Sequence, residues 1–179
     1  MRQVVQTKRL GMRRCSCGGF TLIELIVAMA VAAILLTLGI PSFLTFIRGN
    51  RLTAESTDFM GALALTRNTA AVRGTPVTLG QTGTTAGDFS GGWQVWIDPN
   101  ANGVLDAGEQ VIRVYRALDG DTLVNQEGVT GVTYLATGFV SSAAGTILHF
   151  NLCGPAAGSQ GRQITISPAG TPHVSNVGC

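Results

Sequence analysis

The chain has 179 residues, 45% of them hydrophobic, and a formal net charge of +2, which is enough for one domain with a real core. Five of its twelve basic residues, Arg2, Lys8, Arg9, Arg13 and Arg14, precede Gly19, and from Phe20 onward seven Arg stand against ten Asp and Glu, a net of −3. The positive charge therefore belongs to the first segment, and a generally basic binding surface on the remainder is excluded.

Residues 1–19 are short, basic and free of acids, which under the positive-inside rule holds them in the cytoplasm. A secretory signal is cut after its apolar region, whereas the small pair Gly18-Gly19 comes before one and suits a protease acting on the cytoplasmic side. Cys15 and Cys17 make a poor metal site without a nearby His, and no hydrophobic segment precedes Cys15 as a lipoprotein anchor requires. Residues 20–47, about 28 in number, carry a single charge, Glu24. At about 1.5 Å per residue they can span a bilayer core of roughly 30 Å, so a membrane helix is expected. A carboxylate at the centre of such a helix costs about 2.5–3.5 kcal/mol, which marks Glu24 as functional. Gly39 and Pro41 predict a kink or a locally meltable turn over 39–42.

Residues 48–73 change character. Leu52, Phe59, Leu63 and Ala70 fall on one helical face, leaving Arg51, Glu55, Asp58 and Arg67 to others, and Gly74-Thr75-Pro76 ends the helix. After Pro76 the period shortens. Short β-prone runs are expected at 77–79, 93–97, 111–115, 132–135, 147–150, 164–166 and 173–177, separated by Gly, Asn, Asp, Ser and Pro. The reading is α+β: one antiparallel sheet packed on the amphipathic half of a long helix, with 80–92 as a flexible Gly and Thr rich loop. The domains are then a leader over 1–19, a membrane half-helix over 20–47, and a globular part over 48–179 made of a helix half (48–73) and a β-domain (75–179).

Gly19-Phe20-Thr21-Leu22-Ile23-Glu24, followed by an apolar stretch and Pro41, resembles the N-terminus of type IV pilins and type II secretion pseudopilins. The resemblance implies that a prepilin peptidase cuts between Gly19 and Phe20 and methylates the new amine of Phe20. It also implies that the chain sits in the inner membrane as a single-pass protein with its C-terminal domain in the periplasm, before joining a pilus or pseudopilus through its helix. In a filament, Glu24 of one subunit can neutralise the N-terminal amine of a neighbour, and removing one partner of such a buried pair costs about 3–5 kcal/mol. Further along, Arg51-Leu52-Thr53-Ala54-Glu55, Arg67-Asn68-Thr69-Ala70, the Trp93–Asp98 strand with its Asn and Gly rich hairpin, and the closing Cys153 and Cys179 resemble the GspH/FimT group. That implies a minor pilin that primes or caps assembly, with the minor pseudopilin of a type II secretion system and a DNA-uptake pilin as competing roles.

In an oxidising periplasm a Cys153–Cys179 disulfide would close the tail, with two free cysteines as the alternative. Asp98, Asn100, Asn102, Asp106 and Glu109 around Gly103 fit a calcium-loop pattern at every specified position. The flanks are strands, however, and the same residue types make hairpin turns, so a plain turn is favoured over weak Ca2+ binding and no cofactor is required. DNA-uptake relatives resemble one another in a Gly-Arg-x-Arg element of the tail. Gly170-Thr171-Pro172-His173 stands there instead, and Arg162 is the single basic residue after Arg116. Since nucleic-acid affinity is largely phosphate neutralisation, DNA is a poor fit, with Arg162 its one candidate contact and a strand edge its expected place. His149 and His173 lack a Cys or Ser partner, and no enzyme is read from the sequence.

Overall fold

The structure, a computed structural model, describes residues 19–141, 146–156 and 158–179, without the side chains of 38, 39, 41 and 42. The basic leader, with Cys15 and Cys17, lies outside the described residues. Among the described residues one helix, α1 (Leu22–Arg73), is followed by eight strands: β1 (Val77–Gln81), β2 (Trp93–Ile97), β3 (Val111–Tyr115), β4 (Thr122–Asn125), β5 (Gly131–Tyr134), β6 (Leu148–Cys153), β7 (Gln160–Ile166) and β8 (Pro172–Gly178). The chain divides into two compact units between Phe43 and Leu44.

In the first unit, α1 begins with a cap. Thr21 Oγ1 accepts the backbone N–H of Glu24 at 3.3 Å, the side-chain half of a Thr-x-x-Glu capping box. Glu24 therefore stands in the first helical turn and not at the centre of the apolar run, where the cost assigned to it from sequence would apply. Leu22, Ile26, Met29, Ile34 and Leu35 are all exposed. The backbone stays helical through Gly39 and Pro41. Among the described residues, no helix is long and apolar enough to cross a membrane.

In the second unit, the expected helix face is the buried one: Leu52, Phe59, Leu63 and Ala70 are 0–6% exposed. Thr66 joins them without leaving its hydroxyl unpaired, because Oγ1 donates to Ala62 O at 2.7 Å. Arg73 is the last helical residue, and Gly74, at φ 66°, returns its N–H to Ala70 O at 2.9 Å. That left-handed cap is why a glycine precedes Thr75-Pro76.

The strands form two antiparallel four-stranded sheets, ordered β3-β2-β1-β5 and β4-β6-β7-β8, where the sequence suggested one. The strand that sequence reasoning missed is β4, four residues long with Leu123 and Asn125 buried, too short and, after Asp119-Gly120-Asp121, too close to a turn to give a period-2 signal. Phe59 connects the layers, with its ring 5.2 Å from Trp93 of β2 and 5.0 Å from Phe150 of β6. The 80–92 stretch is likewise not a free loop. Phe89 within it is fully buried and packs edge-on to Phe150, and its N–H donates to Leu123 O at 2.8 Å.

Candidate functional site

Gly19 and Phe20 precede α1 and are exposed, Phe20 at 81%. A protease acting on this bond would meet no folded obstruction from the described residues beside it. Four residues on, the Glu24 side chain is exposed too. Pro41 lies in α1, and its side chain is outside the described set.

The second unit places the remaining sequence candidates at separate positions. Cys153, at the end of β6, and Cys179, after β8, form a disulfide with Cα atoms 5.9 Å apart. The bridge passes over Gly161 of β7, where a Cβ would approach Leu152 O to 2.5 Å and collide with Cys179 Sγ. Glycine is required there for close packing and not for its backbone angles.

The Asp98–Glu109 loop is a self-contained hydrogen-bonded turn. Asp98 is fully buried; its carboxylate accepts from Thr78 Oγ1 at 2.7 Å, Gly103 N at 2.9 Å and Asn102 N at 3.2 Å. Asn100 and Asn102 direct their amide nitrogens at Asp106, and these two amides hold its carboxyl below the ordinary range. Glu109 accepts the Asp106 N–H. Asp98, Asp106 Oδ2 and Glu109 Oε2 thus accept hydrogen bonds from donors of the loop and of Thr78. Among the described residues no group of three or more His, Cys, Asp or Glu is placed to hold a metal ion.

Arg162 lies on β7, an interior strand between β6 and β8, which corrects the strand-edge expectation. Its guanidinium donates to Asn176 across the hairpin and to Thr53 Oγ1 of α1 at 3.3 Å. His149, assigned from sequence to packing or solvent, instead pairs with Glu127 at 2.7 Å. Burial pushes the Glu127 carboxyl up, but the His149 backbone N–H and ring outweigh it and leave it below its ordinary value. Arg67 clamps the β7–β8 turn by donating to Ala169 O and Gly170 O. Burial pushes the Tyr134 hydroxyl up to about 12 while it donates to the same Gly170 carbonyl at 3.2 Å.

One cluster escaped sequence reasoning. Arg51 of α1 pairs with Asp121, whose side chain is fully buried just before β4, and Glu55 lies one helical turn from Arg51 beside the same carboxylate. The Arg51/Glu55 spacing was visible as an i, i+4 pair; Asp121, 70 residues away, was not.

Residues 55–170, well over half of the chain, match the family of the type II transport protein GspH. The chain belongs to the GspH family of type IV pilin-like proteins. Residues 14–40 also match the prokaryotic N-terminal methylation motif, so this GspH-family chain carries both the helix signature and the β-domain. Its fold is similar to that of FimU, a type IV minor pilin of Pseudomonas aeruginosa strain PAO1. The identity is 20% and the TM-score 0.59 over 73% of this chain and 92% of the FimU chain. A second crystal form of FimU gives 19% and 0.56 over 69% and 91%. At such identity the likeness speaks for the α+β pilin fold alone. No curated protein matches the chain. GspH-family proteins are structural components of pilus or pseudopilus filaments in the cell envelope and not enzymes, and the N-terminal motif implies other pilins and a prepilin peptidase as partners.

Proposed function

We propose that this protein is a minor type IV pilin that primes or caps pilus assembly. In this reading it is inserted in the inner membrane by residues 20–47, cut between Gly19 and Phe20, methylated at Phe20, and drawn into a filament through Glu24. The observation that carries it is the joining, in one chain, of an N-terminal methylation motif over 14–40 to a GspH-type domain over 55–170. The sequence supplies the membrane argument, because no charged residue occurs from Leu25 through Ile47, and the apolar side chains described on that half of α1 are exposed and need cover. The likeness to a minor pilin of Pseudomonas aeruginosa supports the pilin fold that this role requires.

Two experiments test this. Mass spectrometry of the membrane-extracted protein should find methylated Phe20 as the N-terminus; an uncut chain would overturn the assembly route. Deletion of the gene should abolish twitching, whereas normal twitching with lost exoprotein secretion would sink the pilus role. That outcome would establish the second reading, a type II secretion minor pseudopilin, which the family description itself favours.

A further inference from the structure

Three charged side chains meet where α1 faces the start of β4. Asp121 has no exposed side-chain surface and is paired with Arg51 through Oδ1. Its other oxygen, Oδ2, is buried without a hydrogen-bond partner, and so is Glu55 Oε2. Glu55 lies within hydrogen-bonding reach of Asp121. Arg51 Nε is buried without a partner as well, but an ionised carboxylate has no donor to offer the other, and orphaned buried acceptors are costly. With both acids ionised the triad holds two negative charges against one guanidinium; with one proton added it is balanced.

We propose that Glu55 keeps its proton and donates it to Asp121, and that with Arg51 the two form a pH-sensitive staple between α1 and the second sheet. Held on Glu55, that proton is the donor that satisfies both orphan oxygens, and the negative charge of Asp121 beside it disfavours ionisation of Glu55. When it leaves to solvent, the pair repels across the helix–sheet junction. Solvent reaches Glu55 through a cavity of about 200 Å³ that it lines with Arg51 and Asp58 of α1, Trp93 of β2, and Arg116 and Asp119 from the β3–β4 connection. The charged groups facing Glu55 are therefore Arg51 and Asp58 on its own helix, Arg116 and Asp119 on the connection, and Asp121 at β4. Burial first, then the contact with and charge of Asp121, raise the Glu55 carboxyl to about 7 against the opposing pull of Arg51 and Arg116.

The sign follows from linkage. The unfolded Glu55 releases its proton near the ordinary value of 4.5 while the folded one keeps it to about 7. The folded state thus binds more protons in that window, and stability falls as pH rises through it. The contribution is full below the window and gone above it. The test is thermal unfolding of the full chain in detergent from about pH 5 to about pH 8, for wild type and Glu55→Gln, whose amide keeps a donor for Asp121 at every pH. Referenced to the variant, the wild-type Tm should fall steadily with rising pH and level off once the proton is lost. The His149–Glu127 pair is present in both proteins and cancels. Parallel Tm profiles would overturn the proposal. Should Glu55→Gln fail to fold, infrared difference spectra of the wild type across the same range decide: loss of a protonated-carboxyl C=O band on raising the pH supports the staple, and its absence overturns it.

Discussion

Removing the Cys153–Cys179 bridge by the double substitution Cys153→Ala/Cys179→Ala should destabilise the β-domain by an amount set by the chain it closes. The two cysteines are 26 positions apart, and the loop-closure relation then gives about 3.5 kcal/mol at 25 °C. In a domain of this size that is roughly 12 °C in Tm, using about 2 cal/mol/K of unfolding entropy per residue. The structure locates the effect. The bridge ties the end of β6 to the residue following β8, spanning β7, so it restrains an edge strand whose other attachment is its seven-pair register with β7. Denaturant melts of oxidised wild type, reduced wild type and the double variant in the same detergent measure it. The reduced protein and the variant should coincide, both well below the oxidised one. If all three share a midpoint, the β7–β8 pairing alone fixes the tail and the loop-closure reasoning is wrong.

Phe59→Ala should cost about 3–5 kcal/mol, the range for a buried aromatic replaced by alanine, and calorimetry or chemical denaturation of the full chain reads it directly. Asp98→Ala should cost about 1–3 kcal/mol by stranding the Gly103 N–H and removing one acceptor from the Thr78 hydroxyl and the Asn102 N–H, which keep Thr133 Oγ1 and Asn100 Oδ1. Glu109→Ala, which loses a single exposed contact to Asp106 N, should cost under about 1 kcal/mol. Added calcium should leave the wild-type Tm unchanged; a rise that Glu109→Ala removes would show that the loop does take up the ion. A gel-retardation assay at low salt should find no salt-sensitive DNA binding, because Arg162 is engaged by Asn176 and Thr53; retardation lost in Arg162→Ala would reverse that reading.

Much of the fold was legible where one periodicity dominated. The buried face of α1 through Leu52, Phe59, Leu63 and Ala70 follows from spacing alone, as does the helix stop at Gly74. Seven of the eight strands carry enough branched and aromatic residues to announce themselves. What stayed hidden depends on pairing across distance. Thr122–Asn125 becomes a strand because Leu123 pairs with Leu152 and Asn125 with Phe150, and nothing local to those four residues requires it. Phe89 sits in a run of glycines and threonines that reads as loop, yet its ring is drawn into the cluster around Phe59. At the candidate sites, Glu24 stood out as the one charge in an apolar run, while its place in the first helical turn depended on where the helix begins. Arg162 was visible as an isolated charge, but its partners belong to β8 and α1 and could not be read from its neighbours.

The position of Phe59 bears on how the domain comes apart. One ring touches Trp93 in the first sheet and Phe150 in the second, and Phe89 bridges the same cluster from the segment between β1 and β2. Neither sheet can shed its inner face without opening the other's contact to the helix. The sheets also meet directly, through the Phe89–Phe150 ring contact and the Tyr134 hydroxyl on Gly170 O, so helix and sheets belong to one cooperative unit.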